Sequence, residues 1–123
     1  MAVSCKDPVK KGENKMFIKN ENCSVTPCEP GVTRRVMGYN DDVMMCEITF
    51  EKGARGNVHS HPNTQVTYVA EGKFEFIVSG ETQIVSKGDC VLMPPDAVHG
   101  TVCLEAGKLV DVFSPKREEF LKN

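Results

Sequence analysis

From Val32 onward the chain alternates short apolar, β-branched and aromatic runs with turn residues, a pattern that predicts strands. VTRRVM (32–37) is followed by the turn cluster Gly38-Tyr39-Asn40-Asp41-Asp42, VMMCEITF (43–50) by EKGARGN, and QVTYVA (65–70) by Glu71-Gly72. KFEFIV and TQIVS are joined through Ser79-Gly80-Glu81, the length of a short hairpin connection. CVLM (90–93) runs into Pro94-Pro95-Asp96, HGTVCL (99–104) into the turn signal Glu105-Ala106-Gly107, and KLVDVF (108–113) closes the series. Strand runs spaced by roughly 8–12 residues predict an all-β sandwich or barrel. No long segment carries the 3.6-residue apolar period of a helix. One short C-terminal helix is expected: Ser114-Pro115 supplies an N-cap and a favoured first helical residue, and KREEFLK follows with Phe120 and Leu121 available to pack. Residues 1–15 show little apolar pattern and read as an N-terminal extension or arm, which leaves residues 16–123 as a single domain.

Composition narrows the function classes. With 123 residues, 40% hydrophobic and 26% charged, the chain is long and apolar enough to bury a core. No apolar run approaches the ~20 residues that span a bilayer, and the first residues lack the apolar segment of a signal peptide. Fifteen basic and 17 acidic side chains give a net charge of −2, which argues against a nucleic-acid partner. The basic pairs Lys10-Lys11 and Arg34-Arg35 read as surface charge, with a role for Arg34 or Arg35 toward an anionic ligand kept open. Six cysteines without a C-x-x-C pair read as reduced thiols, with Cys46 and Cys90 buried as small hydrophobes; the expected location is therefore cytoplasmic.

The chain has three histidines. His59 and His61 are two apart, a spacing that puts both on one face of a strand, and Gln65 keeps the same parity if the strand continues. His99 follows Pro94-Pro95-Asp96 at the start of another strand. Two imidazoles from one strand and one from a neighbour suit a divalent transition metal with part of its coordination sphere open, whereas His-x-His alone is also compatible with a surface pair. The surroundings carry more information. GARGNVHSHPNTQVTYVAEG and GDCVLMPPDAVHGTVC resemble the two sequence motifs of the cupin superfamily. That resemblance implies a cupin double-stranded β-helix, a small jelly-roll barrel with a metal inside its mouth. Gln65 stands where cupins usually have Glu, Asp96 where Gly is common, and Cys103 where Asn is common. A neutral amide beside three imidazoles leaves the ion's charge uncompensated, which strengthens it as a Lewis acid and as an anchor for an anion.

The last strand places Leu109, Asp111 and Phe113 on one face and Val110 and Val112 on the other. Asp111 points either to solvent or into the barrel as a general acid/base; Phe113 would then wall the pocket. Arg117 is either a solvated helix charge or a bidentate donor to a carboxylate. LEAGKLVDVFSPKREEFL, taken with HSHPNTQVTYVAEGKFE and PPDAVHG, is similar to the KdgF family of pectin-degradation cupins over roughly residues 16–121. This resemblance implies metal ligation by His59, His61, Gln65 and His99 to one divalent ion (Ni, Fe, Mn, Zn or Co) and catalysis by Asp111, Phe113 and Arg117. Arg117 also positions substrate, and Arg34 is a further candidate contact. It implies a small anionic sugar as substrate: 4,5-unsaturated monouronates from pectin or alginate lysis, ring-opened and ketonised to linear 4-deoxy-5-keto uronates by a metal-dependent isomerase. It also implies a homodimer, while the charge balance and the lack of a long apolar run leave neither nucleic acid nor membrane as an expected partner. A non-catalytic sugar-binding cupin and an iron-dependent cupin dioxygenase are the alternatives.

Overall fold

Side-chain parity explains most of the architecture of the computed structural model, which describes residues 16–121. Eight strands form: β1 (Thr26–Pro27), β2 (Val32–Tyr39), β3 (Met44–Phe50), β4 (Arg55–His59), β5 (Thr64–Val78), β6 (Glu81–Ser86), β7 (Cys90–Met93) and β8 (His99–Ser114). On β3 the residues Met44, Cys46, Ile48 and Phe50 are buried and those between them face outward. β8 repeats the alternation from Gly107 to Phe113. One face of each strand therefore builds an interior and the other meets water.

All strand pairings are antiparallel. The two long strands, β5 and β8, pair with each other along nearly their whole length and divide the sheet into two halves. The first half of β5 and the second half of β8 continue outward into β7 on one side and β3, β2 and β1 on the other. The second half of β5 and the first half of β8 continue into β6 and β4. The jelly-roll arrangement expected for the chain follows from this division.

Two expected turns are absent. Glu71-Gly72 and Glu105-Ala106-Gly107 do not end strands, because β5 and β8 run through them. The two signals lie opposite each other in the pairing, where the register shifts between Val69 and Phe74. Gly72 adopts φ +87, and a Cβ on Gly107 would stand 2.1 Å from the Glu71 carbonyl oxygen. Turn-type residues here bend two paired strands together instead of reversing either one. By contrast, the expected hairpin between β5 and β6 forms, with Ser79 (φ 48) and Gly80 (φ 86) as its two-residue loop and Glu81 already paired with Val78 in β6.

The apolar core contains Val32, Met44, Cys46, Ile48, Phe50, Val69, Phe74, Phe76, Cys103, Leu109 and Phe113. Phe50 meets Phe74 edge to face, with ring centroids 5.1 Å apart. Among the cysteines, Cys46 and Cys103 are buried as small hydrophobes, but Cys90 is exposed, contrary to expectation. Cys90 pairs with Tyr68 on the outward parity of β5 and β7, whereas Met93 opposite Gln65 faces inward. The C-terminal helix is also corrected: Ser114 remains in the β8 ladder opposite Thr64 and does not cap a helix. Only a 3-10 turn forms, at Glu118–Leu121, and it presses Phe120 against Phe113. The arm expected at residues 1–15 and Cys5 lie outside the described residues. Among the described residues no helix is long and apolar enough to cross a membrane.

Candidate metal centre and active site

Strand register lays out the floor of the site in three inward rows. Val69, Leu109, Ile48 and Arg34 share one row; Thr67, Asp111 and Cys46 the next; Gln65, Phe113 and Met44 the third. Asp111 is therefore inside the barrel, 9% exposed, and the solvent-facing alternative does not hold.

The other half-sheet supplies the imidazoles. His59 ends β4 directly opposite His99 at the start of β8. His61 and Gln65 are not on the strand of His59, as the spacing suggested: β4 ends at His59, His61 sits in the connection, and Gln65 belongs to β5. The connection carries His61 from one half-sheet to the other, so the three histidines converge by topology and not by strand parity. The Pro94–Ala97 turn fixes two of them. Asp96 takes the left-handed conformation (φ 65) that the usual Gly would adopt, and its N–H donates to the His61 carbonyl at 2.8 Å. The Ala97 carbonyl stands 2.9 Å from His99 Nδ1.

Each imidazole uses Nδ1 against a backbone carbonyl: His59 with Asn57 at 2.7 Å, His61 with Asn63 at 3.1 Å, and His99 with Ala97. A carbonyl only accepts, so each Nδ1 carries a proton, and in the neutral tautomer Nε2 then holds the lone pair. Burial lowers the pKa of His61 and His99, which favours this neutral form. One nitrogen from each of the three rings falls within 4.8 Å of the others.

Two further observations fit a cation. His99 Nε2 is buried with no partner. His61 Nε2 stands 2.9 Å from Gln65 Oε1. The amide is oriented by Thr67, whose hydroxyl donates to Asp111 Oδ1 at 2.7 Å and so accepts from Gln65 Nε2 at 2.9 Å. With Nδ1 as the proton-bearing nitrogen of neutral His61, Nε2 and Oε1 present lone pairs to the same space, an arrangement that a cation between them would satisfy. Donors at right angles on one ion, with bonds of about 2.1 Å, lie about 3 Å apart. The four residues that sequence motifs singled out are able to hold one divalent ion.

Asp111 lies behind Gln65 in the Gln65–Thr67–Asp111 chain. Burial pushes its carboxyl up to about 6, against the lowering effects of the Thr67 hydrogen bond, the Arg117 charge and Gln65. Such a carboxyl can both take and return a proton near neutral pH. Thr67 is wholly buried and was not evident from the motifs. Its signal is parity: it stands two residues after Gln65, on the inward face of the same strand.

The C-terminal segment closes the wall. Asn63 Nδ2 donates to the Pro115 carbonyl at 2.6 Å and so ties the histidine-bearing connection to this segment. Arg117 is not a solvated charge: its side chain is 13% exposed and its guanidinium packs on Phe113 and Phe120. The residues enclose a cavity of about 420 Å³ whose lining includes His59, His99, Gln65, Asp111, Arg34 and Arg117. That is room for a small ligand in a mixed polar and apolar pocket.

Comparison with known proteins agrees with this geometry. Residues 46–113 match the cupin domain family. The pectin degradation protein KdgF of Dickeya dadantii (strain 3937) is 42% identical over 110 residues, covering 85% of this chain and 96% of that protein. Among solved structures, an RmlC-like cupin from Shewanella frigidimarina superimposes with a TM-score of 0.84 at 39% identity, over 87% of this chain and 96% of the other. KdgF from Halomonas sp. superimposes with a TM-score of 0.82 at 33% identity, over 87% and 99%. The chain belongs to the cupin family, within its KdgF group.

Proposed function

We propose that the protein is a metal-dependent isomerase acting on 4,5-unsaturated monouronates, the sugars released when lyases cut pectin or alginate. The observation that carries this reading is the convergence of three imidazoles and an amide oxygen beside a buried carboxyl group, in a chain 42% identical to a pectin degradation protein. His59, His61, Gln65 and His99 would hold one divalent transition-metal ion. When bound, the ion supplies Lewis acidity toward the sugar's oxygens and carboxylate without a protein charge to offset it.

The reaction moves one proton and adds no atom. The anomeric hydroxyl loses its proton, C1 becomes an aldehyde carbonyl, and the bond from C1 to the ring oxygen breaks. The electrons on that oxygen collapse toward a C5 ketone as C4 takes a proton. Asp111 is suited to both transfers, since it can take the proton from the anomeric hydroxyl and return it to C4. Thr67 orients the carboxyl through its 2.7 Å hydrogen bond. Phe113, edge-on to the His61 ring with centroids 5.7 Å apart, excludes water beside the reacting carbons. Arg117 binds the substrate carboxylate. The test is product identity: nuclear magnetic resonance of the unsaturated monouronate incubated with protein under nitrogen should show the linear 4-deoxy-5-keto uronate. Turnover that requires oxygen, or binding without conversion, would overturn the reading in favour of a dioxygenase or a sugar-binding cupin.

A further inference from the structure

Arg34 forms no ion pair among the described residues. Its register partner on β3 is Ile48, which is buried, so Arg34 takes the inward parity of β2. Arg35 beside it pairs with Glu47 on the outward parity and hydrogen-bonds Asn20, so that side chain is provided for on the outer surface although its Nε also lacks a partner. Arg34 Nε is buried and unpartnered, and its Nη1 reaches only the weak acceptor Cys28 Sγ at 3.4 Å. Arg117 also has a buried, unpartnered Nε, with Nη2 on Glu119.

The two guanidiniums meet at one aromatic ring. The Arg34 Cζ lies 3.9 Å and the Arg117 Cζ 4.3 Å from the Phe120 centroid, and all three residues line the cavity that Asp111, His59 and His99 also line. Stacking on an aromatic face offsets part of the cost of gathering two like charges, but it leaves the in-plane N–H donors unsatisfied. A carboxylate has about four lone-pair positions and accepts from two guanidiniums at once. Glu29 also lines the cavity but makes no ion pair with either arginine.

We infer that Arg34 joins Arg117 on Phe120 to form a two-guanidinium clamp for the carboxylate of the sugar. Arg34 touches the substrate; Phe120 is a positioning residue that sets the distance between the two arginines. The inference rests on the proposed uronate chemistry for its choice of ligand, but its test does not need turnover.

The probes are galacturonate, a saturated uronate that cannot undergo the reaction, and galactose, titrated calorimetrically into the metal-loaded protein. Wild type should bind galacturonate at least about tenfold more tightly than galactose. Arg34→Met should lose about tenfold to a hundredfold in galacturonate affinity, as expected for a charged hydrogen bond, and leave galactose unchanged. Arg34→Lys should recover part of the loss, and Phe120→Leu should weaken galacturonate binding by a smaller factor. Unchanged galacturonate affinity in Arg34→Met, in protein with wild-type melting temperature and metal content, overturns the clamp, as does equal binding of the two sugars by wild type. Selective galacturonate binding that Arg34→Met abolishes, without turnover of the unsaturated sugar, would retain the clamp and sink the reaction.

Discussion

The barrel interior has two ends built on opposite physical terms. Around Phe50, Phe74 and Phe76 it is filled by apolar side chains held by transfer and packing energy, and Phe50 and Phe76 also form the apolar side of the cavity. Around Gln65, Thr67 and Asp111 it is filled by polar groups, each buried and each dependent on its neighbour. The same two strands, β5 and β8, run through both ends. The difference teaches where function can be placed: the apolar end supplies the stability that lets the polar end keep a carboxylic acid and acceptor atoms out of water.

Substitutions should separate the two ends, and the largest effect is expected at the metal ligands. His99→Ala should abolish both metal content, measured by elemental analysis, and turnover, while circular dichroism still reports the β fold. Asp111→Asn comes next. It should retain metal and fold and lose about 10²- to 10⁴-fold in kcat, the usual weight of a general acid/base. A variant that kept wild-type turnover would remove Asp111 from the chemistry.

Phe74→Ala tests the opposite end. It deletes a fully buried ring and should cost about 3–5 kcal/mol in denaturant unfolding, with kcat of the remaining folded protein unchanged. A large fall in kcat at unchanged stability would mean that the two ends are not separable in this way. Thr67→Val keeps the volume but strands the Gln65 amide and the Asp111 oxygen. It should cost about 1–3 kcal/mol and reduce turnover, and Thr67→Ser should restore both. At the small extreme, Leu92→Ala on the outer face, 60% exposed in the wild type, should change stability by no more than about 0.5 kcal/mol.

Much of this division was legible in the sequence because it depends on short-range parity and motif spacing. Alternation along β8 put Leu109, Asp111 and Phe113 on one face, and the structure keeps them there. The motifs identified the four residues now gathered at the candidate metal centre, but for a partly mistaken reason. His-x-His suggested one strand, whereas a strand end and a connection deliver the two rings. What escaped depends on pairing between distant segments. Gly72 and Gly107 look like turn residues until their opposition across β5 and β8 is known. Ser114-Pro115 looks like a helix start until the ladder with Thr64 is seen. Thr67 carries no motif, and its importance comes from Asp111 lying across the strand pair, 44 residues away in sequence. Arg34 and Phe120 come from opposite ends of the domain, and only the folded chain brings them together.

The central claim is that a metal held by the histidines and Gln65 enables ring opening and ketonisation of an unsaturated monouronate. The most direct test follows the ultraviolet absorbance of lyase-made unsaturated monouronate mixed with the purified, metal-loaded protein, with and without chelator. The account predicts a rapid loss of absorbance that chelation abolishes and added divalent metal restores. Loss no faster than the spontaneous rate, in protein shown to contain metal, would contradict it.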